Sequence, residues 1–173
     1  MTSTLGPPIS VAILRDIGLF GGLDEATLEL LVQELPTVQV GVAEKVVEEG
    51  DPAREMFVVV AGELEVLKQS QHGSDIRLGL LGPGDWFGEM ALVDVQPRSA
   101  TVRALAPSVL LRFSAEHVDR LLYRRDLKAY ALLVMNIARE LSRRLRVADG
   151  ILSQFVGTVA EQYVRRSEPP DDD

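Results

Sequence analysis

Three textures follow one another along the chain. The first is helical. Val11, Ile13, Leu14 and Ile17 recur at roughly helical spacing and predict a helix over 9–19, entered from Gly6-Pro7-Pro8 and broken at Gly21-Gly22. A second helix is predicted over 24–35, with Asp24 as N-cap, Leu28, Leu31 and Val32 on one face, and Pro36 as its stop. From Thr37 the period shortens. Apolar β-rich runs at 38–40, 45–48, 56–61, 63–68, 77–81, 100–105 and 109–113 are punctuated by Gly50-Asp51, Gly62, Gly73 and Gly82-Pro83-Gly84-Asp85, a pattern that predicts a sandwich or barrel. The polar stretch 69–75 reads as an exposed hairpin loop that leaves His72 solvated. Ser114 then starts another helix, with His117 at the surface and Val118, Leu121 and Leu122 facing inward.

The third texture is one long helical pattern over 126–165. Val134, Ala138, Leu141, Leu145, Ala148, Leu152, Phe155 and Val159 step alternately by four and three, which is a heptad seam and predicts contact with a second helix. Leu133, Ile137 and Ile151 widen the stripe, so that part of the helix can also face its own barrel. Gly150 and Gly157 cost about 1 kcal/mol each against alanine in a helix interior, a cost that packing of the seam can offset, so continuity through Gly150 stays open at this point. Arg139, Arg143, Arg144 and Arg146 read as a solvated face beside the seam. The Pro- and Asp-rich end, 166–173, is expected to be disordered.

At 173 residues the chain has room for one well-buried domain and an appendage. The organisation expected is a helical lead-in (1–36), a β-roll with its following helix (37–125), a long helix (126–165) and an acidic tail (166–173). A net charge of −8 argues against a broad nucleic-acid-binding surface, which needs a basic field. The absence of cysteine excludes thiolate chemistry, and two histidines make no metal cluster. With no export signal and no long apolar run, a cytoplasmic protein without a membrane span is expected.

The candidate chemistry sits at 86–102, Trp-Phe-Gly-Glu-Met-Ala-Leu-Val-Asp-Val-Gln-Pro-Arg-Ser-Ala-Thr-Val. Gly88 lets the backbone come close to a ligand, and a helical turn over 89–92 offers N–H groups to an anion. Glu89, acceptor-only when ionised, suits a sugar hydroxyl. Nine positions on, Arg98 carries a planar fork that matches phosphate oxygens, with Pro97 stiffening its approach and Ser99 adding a hydroxyl. A strand resumes through Ala100, Thr101 and Val102. Together these residues read as a pocket for a phosphate joined to a sugar.

The two segments 87–92 and 97–102 resemble the phosphate-binding cassette of cyclic nucleotide-binding domains, the family of catabolite-activator-type bacterial regulators and of the regulatory subunits of cyclic-AMP-dependent kinases. Residues 19–23, Leu-Phe-Gly-Gly-Leu, resemble the lead-in to that family's barrel. The resemblance spans about 18–160. It implies a mainly β fold with flanking helices: an eight-stranded β-roll of jelly-roll type, N-terminal helices and a long C-terminal helix. It also implies a regulatory module rather than an enzyme, with cAMP or cGMP as ligand and no cofactor or metal. Phe87, Gly88, Glu89, Met90, Ala91, Arg98, Ser99 and Ala100 would form the ligand site, with Glu89 on the ribose 2′-hydroxyl, Arg98 on the cyclic phosphate, and the backbone of Gly88 and Ala91 completing the cradle. The long helix would close over the base, placing Ala148 and Asp149 where cyclic-AMP-responsive members carry hydroxyl residues. A homodimer through that helix and a separate protein effector are implied as partners. Direct DNA binding is not expected, because no helix-turn-helix pattern follows the long helix. A cupin-like jelly-roll enzyme is the rival reading and would need several histidines on the strands. A binding-dead dimeric scaffold is the third, and the intact Glu89 and Arg98 count against it.

Overall fold

The computed structural model describes residues 9–94 and 96–167, with side chains through 158. Residues 6–8 and 168–173, and with them most of the expected disordered tail, lie outside the described residues; Arg166 and Ser167 continue a helix. The chain divides into two units, Met1–Asn136 and Ile137–Asp173.

In the first unit, Ser10 caps α1 (Val11–Asp16), its hydroxyl accepting the Ile13 N–H at 3.4 Å. The single helix expected over 9–19 ends early. The backbone turns extended at Ile17, and Gly18–Phe20 form a 3-10 turn. Ile17, Leu19 and Phe20 are all buried, whereas an uninterrupted α-helix would rotate successive residues by about 100° and turn one of them outward. Asp24 caps α2 (Glu25–Glu34) by accepting the Thr27 N–H at 2.8 Å, and Leu28 and Leu31 face inward.

Eight strands follow: β1 (Thr37–Val40), β2 (Lys45–Val47), β3 (Glu55–Ala61), β4 (Leu64–Gln69), β5 (Asp75–Leu81), β6 (Trp86–Phe87), β7 (Thr101–Ala104) and β8 (Ser108–Ser114). They form two antiparallel sheets, ordered β1-β8-β3-β6 and β2-β7-β4-β5, so the fold is the eight-stranded roll. Val40, Phe57, Val59 and Leu110 from one sheet pack against Leu64, Val102 and Ala104 from the other. β3 is buried on both faces, which is why its sequence is a continuous apolar run and not an alternating one. Its second face belongs to the layer of the N-terminal helices, where Phe20 meets Phe113 of β8 with ring centroids 6.4 Å apart.

Most strand ends move by one or two residues from the expected runs, and one strand is added. β6 went unread, because two residues carry no periodicity; its partner strand reveals it, pairing Phe57 with Phe87 and Val58 with Trp86. β7 starts at Thr101, and Ala100 lies in the bend before it. The β4–β5 turn is exposed as expected, closed by the Ser70 and Ser74 side chains, with His72 in solvent.

After β8, Ser114 and His117 form a reciprocal capping box around α4 (Ala115–His117). His117 is half-buried, and burial, reinforced by the nearby Arg120, lowers its pKa so that Nδ1 stays neutral and accepts the Ser114 N–H at 3.2 Å. A π-type turn over Val118–Tyr123 buries Leu121 and Leu122. The Asp126 carboxylate then caps α5 (Leu127–Ser167), accepting from the Lys128 and Ala129 N–H groups. Within the first unit, the buried Asn136 amide donates to the carbonyls of Leu19 and Gly21 at 3.0 and 2.9 Å, tying α5 to the N-terminal turn.

In the second unit α5 shows no break at Gly150 or Gly157. Neighbouring pairs support it: Glu140 bridges Arg143 and Arg144, three and four residues on. The seam residues Leu145, Leu152 and Phe155 are 62%, 60% and 66% exposed in the single chain, and Ala148, Asp149 and Ile151 are exposed as well. No helix among the described residues is long and apolar enough to cross a membrane.

Candidate ligand site

The 86–102 segment is held on three sides by the roll. β6 delivers Phe87 onto β3, where its ring stacks on Phe57 at 5.3 Å and 22°. The chain then turns at Gly88, whose φ of +79° lies in the left-handed region that favours glycine. A Cβ there would stand 2.5 Å from Arg98 Nη1 and 3.1 Å from the Glu55 carbonyl, so besides the backbone strain a side chain would displace the Arg98 guanidinium. Glu89, 3% exposed, precedes α3 (Met90–Val93). The Ala91 N–H already donates to the Gly88 carbonyl at 3.1 Å, closing this turn. Met90 points outward and Ala91 is buried.

Arg98 arrives from the other side. Both of its backbone groups are engaged by the β2–β3 loop: its N–H donates to the Asp51 carbonyl at 2.8 Å, and its carbonyl accepts from the Gly50 N–H at 2.9 Å. Pro97 forms an isolated bridge with Pro52 beside them. The side chain runs inward over the Phe57 ring, its Cζ 5.9 Å from the ring centroid. It is only 9% exposed, and Nη1 has no hydrogen-bond partner among the described residues. Desolvation lowers the guanidinium's pKa, while the charges of Glu55 and Asp51 pull the other way; the group remains a cation. Ser99 is exposed and Ala100 half-buried.

The structure therefore brings Phe87, Gly88, Glu89, Ala91 and Arg98 to one buried turn-and-loop cluster. It adds residues that the sequence reading passed over. Phe57 was indistinguishable from any other member of an apolar run. Glu55 and Asp51 are charges whose proximity to Arg98 exists only once β3 and its preceding loop are folded against it.

The sequence profile of the cyclic nucleotide-binding domain matches residues 38–125, the roll with its following turn. The chain belongs to the cyclic nucleotide-binding domain family. Among its relatives, the CRP-like cAMP-activated global transcriptional regulator of Mycobacterium tuberculosis is 26% identical over 161 residues, covering 90% of this chain and 70% of that protein. The cAMP-dependent protein kinase regulatory subunit of Yarrowia lipolytica is 32% identical over 145 residues, covering 80% of this chain but 37% of its own length. Among solved structures, the Thermus thermophilus catabolite activator protein superposes with a TM-score of 0.72 at 30% identity, over 80% of this chain and 63% of that one. This cyclic nucleotide-binding domain thus shares its roll with transcription regulators and kinase subunits alike, while spanning only part of each.

Proposed function

We propose that the chain is a cyclic-nucleotide sensor. The Arg98 guanidinium pairs with the cyclic phosphate, and Glu89 accepts from the ribose 2′-hydroxyl. The backbone of Gly88 and Ala91 closes on the phosphate, the Ala91 N–H being shared with its turn. Phe87, Met90, Ser99 and Ala100 line the site. The observation that carries this reading is the buried Arg98 whose Nη1 lacks an acceptor among the described residues. A desolvated cation costs several kcal/mol unless a counter-ion arrives, and a phosphate with two oxygens in plane with the fork is such a counter-ion. The names of two relatives point to the ligand: one regulator is cAMP-activated, and one kinase is cAMP-dependent.

Calorimetric titration with cAMP and cGMP tests the proposal, and no heat from either at millimolar ligand would sink it. Glu89→Ala should weaken binding by about 1.5–3 kcal/mol, the range for a hydrogen bond to a charged group. We further propose that Ala148 and Asp149, from this chain or from a second copy of it, contact the base edge. A carboxylate only accepts, and guanine offers it donors at N1 and the 2-amino group, so Asp149→Ala should shift the cAMP-to-cGMP affinity ratio towards cAMP. An unmoved ratio removes that assignment.

Transmission is proposed to run through α5 to a separate protein effector, in a dimer built on the seam of half-buried Leu141 and exposed Leu145 and Leu152. Sedimentation of the native chain at micromolar concentration should give a dimer, and Leu145→Glu, which places a charge on each side of the two-fold axis, should give a monomer. A native monomer overturns the assembly without touching the pocket.

A further inference from the structure

The Arg98 loop has a second fastening, made by side chains that the nucleotide reading leaves unused. Lys68, near the end of β4, donates from Nζ to the Ser99 carbonyl at 2.8 Å and to Glu49 Oε1 at 2.5 Å. Glu49 in turn accepts the Gln69 N–H on Oε2 at 3.0 Å, and its own N–H donates to the Thr101 hydroxyl at 3.0 Å. The Gln69 N–H and the Lys68 ammonium both lower the Glu49 pKa. The next residue, Gly50, holds the Arg98 carbonyl. One ammonium therefore joins the loop before β3, the end of β4 and the Ser99–Ala100 peptide just beyond Arg98.

We propose that Lys68 and Glu49 act as positioning residues for Arg98, clamping the 98–101 backbone so that the guanidinium is held in place before ligand arrives. The proposal rests on the cyclic-nucleotide reading for its effect on affinity, but not for its effect on the loop. A bound anion is matched best by a cation whose main chain is already fixed, because the ordering cost is then met during folding and not during binding. Lys68 is half-exposed, so its pair with Glu49 contributes little to global stability. Its influence should be local.

Two measurements on the full chain test this. In ligand-free protein, Lys68→Met should speed hydrogen exchange at the Gly50 and Arg98 amides by roughly threefold or more, while amides of β3 and β8 and the melting temperature stay at native values. Lys68→Arg, which keeps a donor for the Ser99 carbonyl, should restore slow exchange. In calorimetry, Lys68→Met should bind cAMP roughly three- to tenfold more weakly, with Lys68→Arg recovering most of the loss. Unchanged exchange at Gly50 and Arg98 overturns the clamp whether or not the native chain binds nucleotide. Faster exchange with undiminished cAMP affinity overturns the positioning role. A native chain that binds neither nucleotide while Lys68→Met speeds exchange sinks the function proposed above and supports the clamp as a loop device.

Discussion

Arg98→Met is expected to bind cyclic nucleotide about 2–5 kcal/mol more weakly than the native chain, roughly thirty- to several-thousand-fold, while melting no earlier. Both halves follow from the same geometry. The guanidinium is desolvated over the Phe57 ring, with Nη1 lacking a partner among the described residues, and its carboxylate neighbours Glu55 and Asp51 only partly offset the cost of burial. Methionine keeps the packed stem and removes the charge, so the fold loses a destabilising element. The main-chain bonds of residue 98 to Gly50 and Asp51 do not depend on the side chain and should persist. Calorimetry and a thermal melt on one sample read both effects. Native affinity in Arg98→Met removes the phosphate-pairing role. A large fall in melting temperature shows instead that Arg98 is a structural ion whose partners outweigh its desolvation.

The largest stability effect is expected at Gly62, the corner between β3 and β4. Its φ is +99°, and an added Cβ would stand 2.1 Å from Ser108 Oγ and 2.6 Å from Ser108 Cα. Ser108 cannot step aside: it is buried at the start of β8, and its hydroxyl donates to the Ala106 carbonyl at 2.8 Å. Backbone strain and overlap together should make Gly62→Ala cost about 2–4 kcal/mol, lowering the melting temperature by roughly 5–15 °C. Gly73 is the control. Its φ is also positive, at +80°, but nothing lies within 4 Å of its would-be Cβ, so Gly73→Ala bears the backbone term alone. Equal losses at the two positions would mean that the β3–β4 corner is not closed on Ser108.

The sequence by itself determined the class of fold and the presence of a cassette. Asp24 and Ser114 were legible as caps because a cap is a local interaction, complete within three residues. The long helix was legible because its seam repeats. The cassette was legible as a resemblance because its two segments, 87–92 and 97–102, lie close together in the chain. Tertiary structure decided everything that depends on distant segments meeting. β6 exists only as the partner of β3, and the 3-10 turn at Gly18–Phe20 exists because Ile17, Leu19 and Phe20 must all be buried. The surroundings of Arg98 come from residues 30 to 50 positions away: Phe57 beneath the guanidinium, Gly50 and Asp51 on its backbone, and Lys68 on the carbonyl of Ser99. None of these carries a local signal. A phenylalanine in an apolar run, a turn glycine and a lysine at a strand end are each ordinary in sequence, and they become parts of a site only when two sheets fold over one another and bring their ends together.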